Sequence, residues 1–114
     1  MEESLVKQIE QHTLRCFPNE MVGCVVGGRF IPLDNIASRP QERYQLRPKD
    51  KLMLFELGDS LEALVHSHTS NSNLPSGMDV ESCNACGFDF WIIGTDGVSC
   101  TEVRSILNET TKGT

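Results

Sequence analysis

Two histidines spaced one residue apart, His66 and His68, are followed at a short interval by Ser76-Gly77-Met78-Asp79. At the end of a strand, residues two apart point to the same face, so both imidazoles can aim at one point. Asp79 can join them if the intervening loop folds back, a return that Pro75 and a helix start at Ser76 would fix. Zinc accepts histidine nitrogen and carboxylate oxygen at about 2.0–2.2 Å, and a catalytic site keeps three protein ligands plus water. Two neutral ligands and one carboxylate leave the ion net positive and able to lower the pKa of that water. The chain has only 3 histidines, and at its own residue frequencies the pattern arises by chance on the order of 10⁻⁴ to 10⁻³ per chain. Ser76 and Asp79 also fit a helix cap, with Ser76 bonding backbone amides and Asp79 favoured in the first turn. Capping is compatible with ligation, but it does not account for the two histidines.

The elements that must position these residues are short. Residues 2 to 16 read as an amphipathic helix with Leu5, Ile9, His12 and Cys16 on one face, stopped by Phe17-Pro18-Asn19. Residues 21 to 26 form a buried-strand pattern, Gly27-Gly28 a turn, and Phe30 to Ala37 a returning strand. Tyr44 to Leu46 reads as a short strand, and Pro48 opens a helix that ends at Gly58. Leu61 to Val65 is a second buried strand leading straight into His66-Ser67-His68. Ser76 to about Cys86 reads as a helix, Phe90 to Gly94 as a strong strand, and Val98 to Val103 as the last strand. Strands interrupted by helices, with hairpins at both ends, predict a mixed α/β layer fold.

His66-x-His68-x7-Ser76-x2-Asp79, with Glu20 on an early strand, resembles the motif of the JAMM (MPN+, Mov34/JAB) zinc metalloproteases at all five positions. Pro18-Asn19-Glu20 before Gly23-Cys24, the Pro32-Leu33-Asp34-Asn35 segment and the Pro75-Ser76 pair look like the type found in phage tail-assembly proteins. The resemblance implies a cytidine-deaminase-like mixed β-sheet flanked by helices, over residues 1–107, with 108–114 as a polar tail. It implies one catalytic Zn2+ held by His66, His68 and Asp79. Glu20 would be general base to the zinc water and then acid to the leaving amine. Ser76 would hydrogen-bond the tetrahedral oxyanion.

Two departures bear on this reading. Thr69 stands where family members usually carry proline after the second histidine. Lambda-like tail proteins commonly join this domain to a C-terminal NlpC/P60 cysteine peptidase, and 114 residues hold no second fold of that kind. Such a peptidase is therefore expected on a separate chain. The expected function is hydrolysis of an amide bond in a protein or peptide substrate, in phage tail assembly or on a tail or ubiquitin-like protein. The expected location is the host cytoplasm or the virion tail. Two rivals accompany it: a non-catalytic assembly module braced by structural zinc, and a bacterial peptidase trimming ubiquitin-like or sulfur-carrier proteins.

Other function classes fit poorly. With 10 basic against 16 acidic residues and a net charge of -6, the chain lacks the cationic patch that phosphate neutralisation needs. No apolar run approaches the roughly 20 residues that span a bilayer, and no signal-type segment follows the acidic start. Zinc deaminases need H-x-E and P-C-x-x-C, whereas His66 precedes another histidine and Ser82 precedes Cys83. H-E-x-x-H is absent as well. Cys83-Asn-Ala-Cys86 has no second pair to complete a zinc ribbon, so both thiols are expected to be buried. Phe88, Phe90 and Trp91 are expected in the core, and His12 at its edge.

Overall fold

The computed structural model describes residues 1–107; the tail from 108 onward lies outside them. Helix α1 (Glu3–Cys16) is followed by strands β1 (Val22–Val26) and β2 (Arg29–Leu33). Helix α2 (Pro48–Leu57) and a 3-10 turn (Gly58–Ser60) lead into β3 (Leu61–His68). Helix α3 (Gly77–Cys86), β4 (Asp89–Gly94) and the short β5 (Arg104–Ser105) complete the order. No helix among the described residues is long and apolar enough to cross a membrane.

The strands form one mixed sheet in the order β2-β1-β3-β4-β5. β1 runs antiparallel to both β2 and β3, whereas β3 and β4 are parallel and joined through α3. Such a parallel pair needs a crossover, and an α-helix is its usual form. The β1–β2 hairpin turns on Gly27 and Gly28, both at positive φ (57° and 74°), a conformation that costs glycine little.

Strand alternation sends side chains to two cores. Met21, Val25, Phe30, Val65 and Ile93 pack with Leu5 and Ile9 of α1. Val22, Cys24, Leu64, Phe90 and Ile92 pack on the other face with Leu54 of α2 and Cys83 of α3. Phe90 is buried, and Phe88 and Trp91 are half-buried against these clusters, as their apolar context predicts. His12 lies at the core edge with its ring 5.6 Å from that of Phe30.

Four sequence expectations need correction. The second strand ends at Leu33 rather than Ala37, because Asn35 bonds loop backbone and bends the chain off the sheet. Residues 44 to 46 form no strand: Gln45 pairs its N–H with the Asn35 side chain and its carbonyl with Ile36. The final strand is Arg104–Ser105, not 98 to 103, since the Asp96 side chain captures the amides of Val98 and Ser99 in a turn. Cys83 is buried but Cys86 is exposed, at the last turn of α3 where it leaves the sheet.

Candidate metal centre

β3 carries the two histidines past the end of its hydrophobic stretch. Leu64, His66 and His68 share the face toward α2 and α3, and the intervening Val65 and Ser67 face α1. Ser67 is fully buried and works between the histidines: its Oγ accepts the Met21 N–H at 2.7 Å, and its own N–H donates to the Met21 carbonyl at 3.0 Å. This fixes Met21, the residue after Glu20, to the backbone between the two imidazoles.

Asp79 reaches the same point from the first turn of α3. Ser76 is the N-cap; its Oγ accepts the Asp79 N–H at 3.1 Å while Asp79 Oδ2 accepts the Ser76 N–H at 2.9 Å, a reciprocal capping box. The loop between the ligands is pressed onto the end of β4. A Cβ on Gly94 would collide with the carbonyl oxygens of Ser70 and Ser72. Asn73 fastens the loop further, donating to the Glu102 carbonyl at 2.8 Å and accepting from Arg104 Nε at 3.0 Å. Thr69, in the position of the expected proline, donates its hydroxyl to the Gln41 carbonyl at 3.1 Å.

His66 Nε2 lies 3.1 Å from Asp79 Oδ1, and His68 Nε2 lies 3.3 Å from Asp79 Oδ2. One donor atom from each of the three residues falls within 4.8 Å of the others, so the group can hold a metal ion. A tetrahedral ion with bonds of about 2.0–2.1 Å has ligand edges of about 3.3 Å. Each imidazole meets a carboxylate oxygen at such a spacing, His66 at Oδ1 and His68 at Oδ2, and this donor set of two nitrogens and a carboxylate is one that zinc accepts. His66 is 1% exposed, and its Nδ1 is buried without a hydrogen-bond partner. The Tyr44 ring packs 4.8 Å from its imidazole.

Charges in the cleft are strongly coupled. Burial alone would raise the Asp79 carboxyl, but hydrogen bonds from His66 and His68, the His66 charge and the Ser76 backbone bond hold it well below the usual range. The bond to Asp79 raises His68 against the opposing effect of burial. Burial also pushes Glu20 up to about 7, with His68 pulling it down and Asp79 adding to the rise. Tyr44 is raised by burial and then by the Asp79 charge.

Glu20, Ser76, His66, His68 and Asp79 thus line one cleft of about 460 Å³, together with Glu42, Arg43, Tyr44 and Met78. Residues 2–107 match the family of prokaryotic homologues of the JAB domain. The chain belongs to that family. Its similar relatives include a probable TtuB-protein conjugate cleaving protease of Thermus thermophilus, 34% identical, covering 82% of this chain and 68% of that protein. The desampylase of Haloferax volcanii is 30% identical over 70% of this chain and 66% of its own length. The tail tip assembly protein K of Escherichia phage N15 is 29% identical over 75% of this chain, which spans only 36% of that protein. In fold, the JAB domain resembles a solution structure from Desulfitobacterium hafniense, with TM-score 0.67 and 19% identity, covering 90% of this chain and 79% of that one.

Sequence reasoning missed three residues of this neighbourhood. Tyr44 was expected in a strand and instead walls the cleft; Ser67 and Asn35 work through backbone atoms. Only the Pro32-Leu33-Asp34-Asn35 segment carried a signal, because side chain–backbone bonds across 15 or 46 positions have no periodicity to read.

Proposed function

We propose that this JAB domain is a zinc-dependent peptidase or isopeptidase that hydrolyses amide bonds in protein conjugates. The observation that carries the reading is the convergence of His66, His68 and Asp79 within 4.8 Å, in a cleft that Glu20 also lines. His66 and His68 through Nε2 and Asp79 through its carboxylate would hold the ion. Zinc bound there would supply Lewis acidity, polarising the scissile carbonyl and making water easier to deprotonate.

Glu20 would take the proton of the attacking water and deliver it to the leaving amine nitrogen. Burial raises the Glu20 carboxyl in the metal-free cleft and a bound cation would draw it back down, two opposing effects that suit a group required to take up a proton and then release it. The Ser76 Oγ already accepts the Asp79 N–H, which leaves its hydroxyl hydrogen to donate to the developing oxyanion. Its capping role therefore orients the catalytic donor.

Protein conjugates are favoured as substrates because the two relatives named for cleavage of protein conjugates or as a desampylase match over about two thirds of their length. A second reading puts the same chemistry in phage tail assembly, motivated by the similarity to the N15 tail protein. The chain would then act in the host cytoplasm or on the tail, with any NlpC/P60 peptidase on a separate chain. A purely structural zinc is less well supported: such sites are usually closed by four protein ligands, and the cluster among the described residues has three.

The test is metal content of tag-free protein together with cleavage of a ubiquitin-like protein joined through an isopeptide bond to lysine. Wild type should carry about one zinc per chain, Glu20→Ala should keep it without turnover, and Asp79→Ala should lose it. A zinc-loaded wild type that leaves both conjugates and linear fusions intact would sink the peptidase reading.

A further inference from the structure

Glu20 stands just before β1, which begins at Val22, so the sheet ladder does not hold it. Both of its backbone polar groups go instead to the loop between β2 and α2. Its N–H donates to the Pro40 carbonyl at 2.7 Å, and its carbonyl accepts from Asn35 Nδ2 at 3.0 Å. The same Nδ2 donates to the Arg43 carbonyl at 3.0 Å and lies 3.5 Å from the Pro40 carbonyl. Asn35 Oδ1 accepts the amides of Ala37 and Gln45, each at 3.0 Å. One side chain thus ties Glu20 to the segment that carries Glu42, Arg43 and Tyr44 into the cleft wall.

An asparagine that only shapes a turn bonds backbone two residues on, and the contact to Ala37 is of that kind. The bond to Glu20 spans 15 positions and serves no turn. The loop is braced independently at its far end, where Arg47 pairs with Asp34 at 3.0 Å and Asp50 at 2.8 Å. Asn35 is therefore not needed to close the loop; beside the backbone bond from Glu20 to Pro40, it supplies a side-chain link between the loop and Glu20.

We infer that Asn35 is a positioning residue for the reaction: its amide holds Glu20 and the cleft wall as one hydrogen-bonded unit facing the metal ligands. The inference rests on the proposed hydrolytic role of Glu20. Misplacing a reacting group by about 1 Å can cost on the order of 100-fold in rate, so a side chain that touches no substrate can still set turnover.

The discriminating variant is Asn35→Asp. It keeps an acceptor for Ala37 and Gln45 but turns an oxygen toward the Glu20 and Arg43 carbonyls. Zinc content should equal that of wild type, while kcat on a ubiquitin-like isopeptide conjugate falls about 10- to 100-fold and KM changes by less than about 3-fold. In a Glu20→Gln background, Asn35→Asp should lower the residual rate no further, because it acts through Glu20. An unchanged kcat, or an equal loss in both backgrounds, would overturn the inference. Hydrogen exchange on the zinc-loaded wild type covers the case in which the variants fail to fold. The Glu20 N–H, which donates to the Pro40 carbonyl, reports the joint between Glu20 and the loop. It should open together with the Ala37 and Gln45 amides held by Asn35 Oδ1, and independent opening of Glu20 overturns the proposal. A wild type without turnover would instead remove the hydrolase reading, and the exchange result would still decide whether Glu20 and the Asn35-bonded loop move as one unit.

Discussion

On the α1 face of the sheet, Met21, Val65 and Ile93 are fully enclosed. On the opposite face, the same stretch of β3 passes from Leu64 at 3% exposure through His66 at 1% to His68, whose side chain is 21% exposed. One face continues as core, and the other turns from core into cleft within two steps of the pleat. The difference lies in what covers each end. α1 lies across the first face, whereas α2 and α3 leave the second to be closed by the loop of residues 34–47 and the first turn of α3. A rigid dry layer behind the histidines and a polar, partly open layer in front is what precise orientation of charged ligands requires.

The comparison predicts that the open face carries activity and the closed face carries stability. The largest effect is expected from Glu20→Gln, which should cut turnover about 10²- to 10⁴-fold with zinc content and melting temperature near wild type; metal analysis and a conjugate-cleavage assay check both. A comparable loss of zinc in this variant would mean that Glu20 is a ligand and would redraw the site.

Ile9→Ala works on the other side. Ile9 is completely buried against β1 and β4, so truncation should cost about 2–5 kcal/mol in urea unfolding. The folded fraction should retain its zinc and its kcat. Loss of zinc at full folding would show that the two faces are coupled and not divided as described.

Gly94→Ala tests the seam where the faces meet. Its Cβ would meet the Ser70 and Ser72 carbonyls of the ligand loop, so a cost of about 1–3 kcal/mol is expected. Zinc should also bind more weakly, because the displaced loop separates His68 from Asp79. Tight zinc binding in a destabilised variant would show that Asp79 is set by α3 alone.

The smallest effect belongs to Asp96, which accepts hydrogen bonds from the Val98 and Ser99 amides. Those bonds, with one from Asn71, depress its pKa below the ordinary 3.8. A carboxyl depressed on folding adds stability that is present above the unfolded value and lost as pH falls through the folded one. The melting-temperature gap between wild type and Asp96→Ala should therefore be constant near neutrality and close below about pH 4. A gap that widens in acid would contradict the assignment.

Helix α1, the Gly27-Gly28 hairpin, β3 and the capped α3 were all legible in the sequence, because each is specified by residues close together in the chain. Periodicity, turn glycines and a cap are local quantities. The candidate metal cluster of His66, His68 and Asp79 was legible for a related reason: two histidines on one strand face and an aspartate at a helix start need only a short loop to meet, whereas Glu20 was singled out only by the family resemblance.

What the tertiary structure alone decided is how the remaining parts are held. Phe30 to Ala37 looks like a continuous strand, yet the chain leaves the sheet after Leu33 because Asn35 finds backbone partners in the loop and beside Glu20. The apolar pattern around Tyr44 suits a strand, yet the ring packs on His66. Residues 98 to 103 alternate suitably, but Asp96 captures their first amides before the sheet can. In each case a single side chain competes with the sheet for backbone hydrogen bonds. The energy differences are of about one hydrogen bond, roughly 0.5–1.5 kcal/mol, and the partners that decide them lie far away in sequence. The residue types and spacing thus determined which groups could perform chemistry. Their orientation was decided by contacts that exist only once the sheet, the loop and α3 have come together.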